Sequence, residues 1–323
     1  MIRLGLQLPV YRYPGLPDSQ LFGRIVEVAA AAEASGFDSF FLMDHVQQIG
    51  GVGQVEDPML EPYTLLGALA ARTSRLTLGT LVTSVVYRNP ALLAKMVTTL
   101  DLISGGRAML GIGAGWYQDE AARYGYTWPS AGERLDRLED TLRICRAMFT
   151  DATATVEGRH HSIRDALNNP RPIQSGGPKI LVGGGGERRT LRLAAQYADA
   201  CNVFDSLAVV RRKLAILAEH CRAIGRNPAE ITKTRLAMLV ISPTQSEAND
   251  RLSALVASMP SPLPKEQLAR LFIAGDPDAV CAQVQAHVDA GIDGLIFSLP
   301  QGATPDEVAL AGRTLAPCFG LPN

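Results

Sequence analysis

Absences narrow the field first. The chain has no C-x-x-C pair, and its five cysteines (Cys145, Cys201, Cys221, Cys281, Cys318) are odd in number and far apart. That pattern argues against a disulfide framework or a zinc site and fits reduced thiols in a cytoplasm. An excess of charge of either sign is missing too: 31 Lys and Arg face 32 Asp and Glu, for a net charge of −1. No basic surplus exists to neutralise a nucleic-acid backbone, and no polybasic run suits a membrane surface. No apolar run approaches the roughly 18 residues of a spanning helix. Met1 leads into Ile2-Arg3-Leu4-Gly5-Leu6 without a basic n-region and long apolar h-region. Walker sequences are absent. The place after the first strand where a dinucleotide fold carries G-x-G-x-x-G holds Gln7-Leu8-Pro9. A cytoplasmic protein acting on a small molecule, with neither nucleic acid nor membrane as partner, is the expectation.

What is present is ordinary globular material, 47% hydrophobic and 20% charged. Apolar runs bounded by turn residues predict strands at Ile2–Leu8, Phe37–Met43, Leu76–Val82, Ala108–Ile112, Lys179–Val182, Asp199–Phe204, Lys233–Ile241 and Gly294–Leu299. Helical periodicity follows each one; the helix after strand one, with Leu21, Ile25, Val28, Ala29 and Ala32, is a clear case. Strict alternation of eight strands with eight helices predicts a (β/α)₈ (TIM) barrel. At 323 residues the length suits two average domains, but such barrels routinely exceed about 250 residues as one unit, so residues 1–323 are read as a single domain. Two segments break the rhythm: polar Asp151–Gly177 after strand four, and proline-rich Ser242–Asp276 after strand seven. Both read as loop insertions, the second holding helix pieces.

In a barrel of this class, chemistry sits just past the C-terminal strand ends. That rule selects Asp44 and His45 after strand two, Leu81–Ser84 after three, Gly113–Trp116 after four, Gly183–Gly186 after five and Asn202 in six. His45 is the only histidine at a strand end, beside a carboxylate able to orient it, which suits a general acid or base. No second histidine or cysteine stands at ligand spacing, so no metal is expected. Four glycines before a helix let a main chain wrap an anion closely, with Arg188 and Arg189 adding charge; a bare turn between two core elements is the plainer reading. Trp116-Tyr117 could wall a planar ring or pack under its loop. Asp119 and Glu120 could cap the next helix, or contact a cofactor.

Four stretches in order, "FLMDH" (Phe41–His45), "LGTLVTSVVYRNPALLAK" (Leu78–Lys95), "GIGAGWYQDE" (Gly111–Glu120) and "PKILVGGGGERRTLRLAAQYAD" (Pro178–Asp199), resemble the luciferase-like oxidoreductases, more narrowly their deazaflavin branch, which uses coenzyme F420. The resemblance runs from the first strand to about Phe204 and returns at Gly291–Ser298. It implies the same barrel and an F420-dependent enzyme exchanging a hydride with a small organic substrate. It implies His45 as the catalytic residue, with Asp44 beside the reactive edge of the deazaflavin. Leu81 and Val82 fall at a bulge with a non-proline cis peptide behind the ring, and Thr83 and Asp119 at positions that hydrogen-bond the ring or its side arm. Gly183, Gly184, Gly185 and Gly186 then cradle the cofactor phosphate. Bacterial luciferases carry Glu-His-His at the end of strand two; this chain has Asp44-His45-Val46, which favours F420 over the alternative, FMN. An FMN-dependent monooxygenase, a non-catalytic flavin- or deazaflavin-binding protein and a phosphosugar barrel enzyme are the other readings. The family also implies a homodimer through the helices after strands two and three. The loops expected to line the substrate are Gln47–Asp57, Gln118–Ser130, Asp151–Gly177 and Ser242–Asp276.

Overall fold

Eight short apolar runs become eight parallel strands in the computed structural model, which describes residues 2–258, 264–300 and 303–321. They are β1 (Leu4–Leu8), β2 (Ser39–Leu42), β3 (Thr77–Thr80), β4 (Ala108–Gly113), β5 (Lys179–Gly183), β6 (Ala200–Val203), β7 (Thr232–Ile241) and β8 (Gly294–Ser298). Each pairs with its sequence neighbour, and β8 pairs with β1 (Leu4 opposite Leu295), closing the barrel. The helices after them are α1 (Leu21–Ala34), α2 (Pro62–Ala70), α3 (Pro90–Ser104), α4 (Ala131–Thr150), α5 (Thr190–Tyr197), α6 (Leu207–Ala223), α7 (Pro277–Asp289) and α8 (Pro305–Leu315).

Strands buried on both faces make two apolar layers. Leu4, Leu6, Phe40, Leu42, Leu110 and Val182 point outward into the packing with the helices. Phe41, Leu81, Met109, Leu181, Ala200 and Ile296 fill the interior. The barrel is therefore a packed core rather than a pore, and its interior offers no channel for a ligand among the described residues.

Three local readings are corrected. In the sequence Asp57-Pro58 reads as the opening of a helix through about Arg72, but α2 begins at Pro62, because Glu61 caps it through the N–H groups of Tyr63 and Thr64. Asp57 stays in the loop, accepting from the N–H of Gln54 at 2.8 Å. The segment Asp151–Gly177 is not wholly irregular: Ala154–Val156 and Ile163–Ala166 form an antiparallel pair off the barrel. Within Ser242–Asp276, two helices (Gln245–Ala257 and Lys265–Leu271) precede a further parallel strand, Phe272–Gly275, added to the outer end of β7. Pro260 and Pro262 of that segment lie outside the described residues. Two cysteines far apart in sequence also meet, with 2.8 Å between the sulfurs of Cys281 and Cys318.

Candidate active site

Strand β3 does not simply stop at Thr80. The Leu81–Val82 peptide is cis, and the chain then resumes as a two-residue strand, Thr83–Ser84, paired with β4. The detour pushes the Val82 side chain across the mouth. A Cβ at Gly113 would approach Val82 to 2.9 Å and one at Gly183 to 2.7 Å, so both positions need glycine to let this bulge in. The ends of β3, β4 and β5 are thereby locked together, and Gly184 continues the arc by donating its N–H to the carbonyl of Asn202 on β6.

Asp44 and His45 leave β2 beside this bulge, but they do not serve each other. Asp44 Oδ2 accepts from the N–H of Ser84 (3.0 Å) and from Arg88 (2.8 Å). Arg88 also reaches Glu61 (2.7 Å) and lies over the ring of Tyr63. Burial pushes the Asp44 carboxyl up, against the pull of the Arg88 charge. Its other oxygen, Oδ1, is buried with no hydrogen-bond partner. Among the described residues no donor reaches this oxygen, and a buried carboxylate oxygen is an acceptor that an N–H group would satisfy.

His45 is oriented instead by Glu120, 75 positions away. The imidazole Nδ1 lies 2.6 Å from Glu120 Oε2, which also accepts from the Tyr87 hydroxyl at 2.6 Å. The other oxygen, Oε1, accepts from the N–H groups of Val46 (2.6 Å) and Gln47 (3.2 Å). Burial opposes ionisation of Glu120, but donors from His45, Tyr87 and Val46 together hold its carboxyl below the usual range. A carboxylate that only accepts assigns the donor role to Nδ1 and leaves Nε2 as the nitrogen free for proton transfer. The rings of Trp116 and Tyr117 stand edge-on to His45 at 6.0 and 6.1 Å.

The remaining expected residues divide. Asp119 is exposed on the one-turn helix Gln118–Arg123; of the adjacent acids, the one turned inward is Glu120, which the sequence left with a capping role as its commoner reading. Thr83 is fully buried, and its hydroxyl is engaged by Tyr63 (2.7 Å) and Thr80 (2.6 Å) beneath the bulge, so its side chain is part of the wall rather than of the open face. At the glycine run, Arg189 is drawn away to Asp136 and the carbonyl of Gly132. The cation that lies there is Lys213 of α6: a Cβ at Gly185 would land on its Nζ. Lys213 pairs with Asp205 at 3.0 Å, Arg270 approaches the same carboxylate at 3.3 Å, and Arg235 donates to the Asp205 carbonyl at 3.1 Å. Burial alone would raise Asp205, but hydrogen bonds and these charges hold it low.

A cavity of about 420 Å³ opens on the other half of the mouth, between the ends of β1, β2, β7 and β8. Residues from two of the four anticipated loops line it, Gly51–Asp57 in part, and Leu255 with Ser258; Gln118–Ser130 and Asp151–Gly177 contribute none of its described lining. None of the residues expected to bind cofactor or do chemistry touches it. The mouth thus has two halves that share β2: an arc from β2 to β6 holding the polar constellation, and the cavity.

Comparison with known proteins agrees with this fold. A family model described as luciferase-like monooxygenase matches residues 3–294. The F420-dependent glucose-6-phosphate dehydrogenase of Kineococcus radiotolerans is 31% identical over 301 residues, covering 86% of this chain and 87% of that protein. Among solved structures, EDTA monooxygenase from Chelativorans sp. BNC1 superposes with a TM-score of 0.83 at 19% identity, covering 98% of this chain and 93% of that one. The coenzyme F420-dependent tetrahydromethanopterin reductase of Methanopyrus kandleri gives 0.80 at 20% identity, covering 98% and 99%. The two structural likenesses establish the fold; their chemistries differ.

Proposed function

Because the chain belongs to the luciferase-like monooxygenase family, we propose that it is an F420-dependent oxidoreductase that exchanges a hydride with a small organic substrate. The relative at 31% identity carries F420 dependence in its name. The observation in the chain itself that carries the reading is the buried, unpartnered Oδ1 of Asp44 beside the Val82 bulge. A tricyclic ring with an N–H edge fits there: Asp44 Oδ1 would accept that hydrogen, and Leu81 and Val82 would support the ring face. The glycine run with Lys213 would hold the phosphate of the side arm, since main-chain N–H groups and one cation suit a phosphate. When bound, F420 supplies a carbon that gives or takes a hydride.

The chain's residues would do the rest. His45 Nε2, kept in one tautomer by Glu120, would give or take the proton that accompanies the hydride. Arg88 would keep Asp44 in place, and Trp116 with Tyr117 would shield the reacting face from water.

Titration of the purified chain with F420 and with FMN, followed by fluorescence, tests the assignment. F420 should bind the more tightly, and tighter binding of FMN would overturn the choice. Lys213→Gln should weaken F420 binding by about tenfold or more, the loss of one charge-assisted contact. Affinity unchanged in that variant would remove Lys213 from the site.

A homodimer through α2 and α3 is part of the same reading, supported by the exposed Leu92 and Ile103 on α3. Buried free thiols at Cys145, Cys201 and Cys221 support a cytoplasmic location. Sedimentation should give twice the chain mass, and cell fractionation should recover the protein with cytosolic markers; a monomer or a secreted protein would refute these.

A further inference from the structure

The cavity's lining says what kind of molecule it accepts. Its walls are Pro9, Val10, Val52, Met238, Leu255 and Pro300, all apolar. Uncharged polar side chains come from Gln54, Ser258 and Ser298, and the Ser298 side chain sits at the C-terminal end of β8, inside the mouth. Arg12 is the one cation among the described lining residues, and it is already matched: it lies 3.5 Å from the carboxylate of Asp57, another lining residue, and is itself largely in water. The pair leaves the described lining with no net charge. At about 420 Å³ the volume lies toward the small end of the roughly 300–1,000 Å³ typical of small-molecule sites.

A phosphate ester entering such a space would surrender its hydration for apolar walls and meet the Asp57 carboxylate, with no unpaired cation among the described lining residues in compensation. An uncharged molecule meets no such opposition. Building on the F420 reading above, we infer that the cavity is the substrate site and selects an uncharged, largely apolar alcohol or carbonyl compound, not a sugar phosphate, although the Kineococcus relative is named for one. In the oxidising direction the carbinol C–H would leave as hydride to F420, the hydroxyl proton would pass to His45 Nε2, and the C–O bond would become C=O. The reverse direction takes the same hydride and proton back. The loop after β2 borders both halves of the mouth, and a substrate held in the cavity would have to extend past it for its hydroxyl to reach His45 Nε2.

The full chain, first shown to bind F420 by fluorescence, should be assayed with cyclohexanol, 2-octanol and their ketones against glucose 6-phosphate. The best uncharged compound should exceed glucose 6-phosphate in kcat/KM by about 100-fold or more, and comparable values would overturn the inference. Binding without turnover provides a second readout independent of F420: calorimetry of the unloaded chain should detect 2-octanone, and Met238→Trp, which fills the cavity, should abolish that heat. Persistence of the heat in Met238→Trp would move the site elsewhere. Asp57→Asn, which frees Arg12, should raise affinity for inorganic phosphate by about tenfold, and no gain would show that pairing is not what discharges the cavity. Failure to bind F420 with these ketone results intact would refute the cofactor assignment alone; F420 binding with preference for the phosphate ester would refute the substrate class alone.

Discussion

Replacing His45 by Ala should lower turnover by about 100-fold or more while leaving F420 affinity within about threefold. The asymmetry follows from position. The Nε2 side of the imidazole is the one left free by Glu120, whereas the contacts expected to hold the cofactor come from Asp44, the bulge and the glycine run. The substitution removes one of four donors to Glu120, and Tyr87, Val46 and Gln47 still satisfy the carboxylate, so the fold should survive. Stopped-flow hydride transfer alongside fluorescence titration separates the two quantities. Unchanged turnover would remove His45 from the mechanism. A loss confined to F420 affinity would make it a binding residue.

Glu120→Ala should be the more damaging change to the protein as a whole. It orphans the imidazole Nδ1–H, the Tyr87 hydroxyl and two main-chain N–H groups at once. Each unsatisfied buried donor costs about 1–3 kcal/mol, and water entering at the partly buried His45 and Tyr87 offsets part, so a loss of about 3 kcal/mol is expected in denaturant unfolding. Turnover should fall as well, because the imidazole loses both its tautomer and its aim. Glu120→Gln keeps the shape and the acceptor for Val46 and Gln47, and should retain more stability than the alanine variant. The two substitutions also differ from the parent in acid. Hydrogen bonds hold the Glu120 carboxyl below its ordinary value in the folded chain. Its contribution is therefore complete above the ordinary carboxylate pKa and is lost as pH falls through the lowered one. Glu120→Gln should flatten that part of the stability profile. Equal acid sensitivity in parent and variant would show that Glu120 is not the group responsible.

The barrel was legible in the sequence because its signal is local. Buried parallel strands demand short apolar runs, their helices demand a 3.6-residue period, and each can be read without knowing what it packs against. Expected and observed strands agree to within a few residues for all eight. The rim positions followed from the same order, since a strand end is known once the strand is. What the order could not supply was partnership across the rim. Asp44 and His45 are adjacent, which suggested one acid–imidazole pair; the turn after β2 sends Asp44 to Arg88 and His45 to Glu120. Asp119 and Glu120 are adjacent too, and on a one-turn helix neighbours point about 100° apart, so only packing against the β2 loop decides which acid enters.

Cations at the glycine run divided in the same way. Arg188 and Arg189 were near in sequence, but α4 captures Arg189 through Asp136, while Lys213 arrives from a different helix because α5 and α6 pack side by side. The strand Phe272–Gly275 and the hairpin of Ala154–Val156 with Ile163–Ala166 went unread because they lie within segments whose polar and proline residues mask so short a run, and pairing with another strand stabilises them. The sequence by itself determined the barrel, the strand ends where chemistry belongs, the family and its expected cofactor. Tertiary structure alone decided which charges meet, where a buried carboxylate oxygen lacks a donor among the described residues and that the described cavity lining carries no net charge, because these depend on loop paths joining residues tens of positions apart.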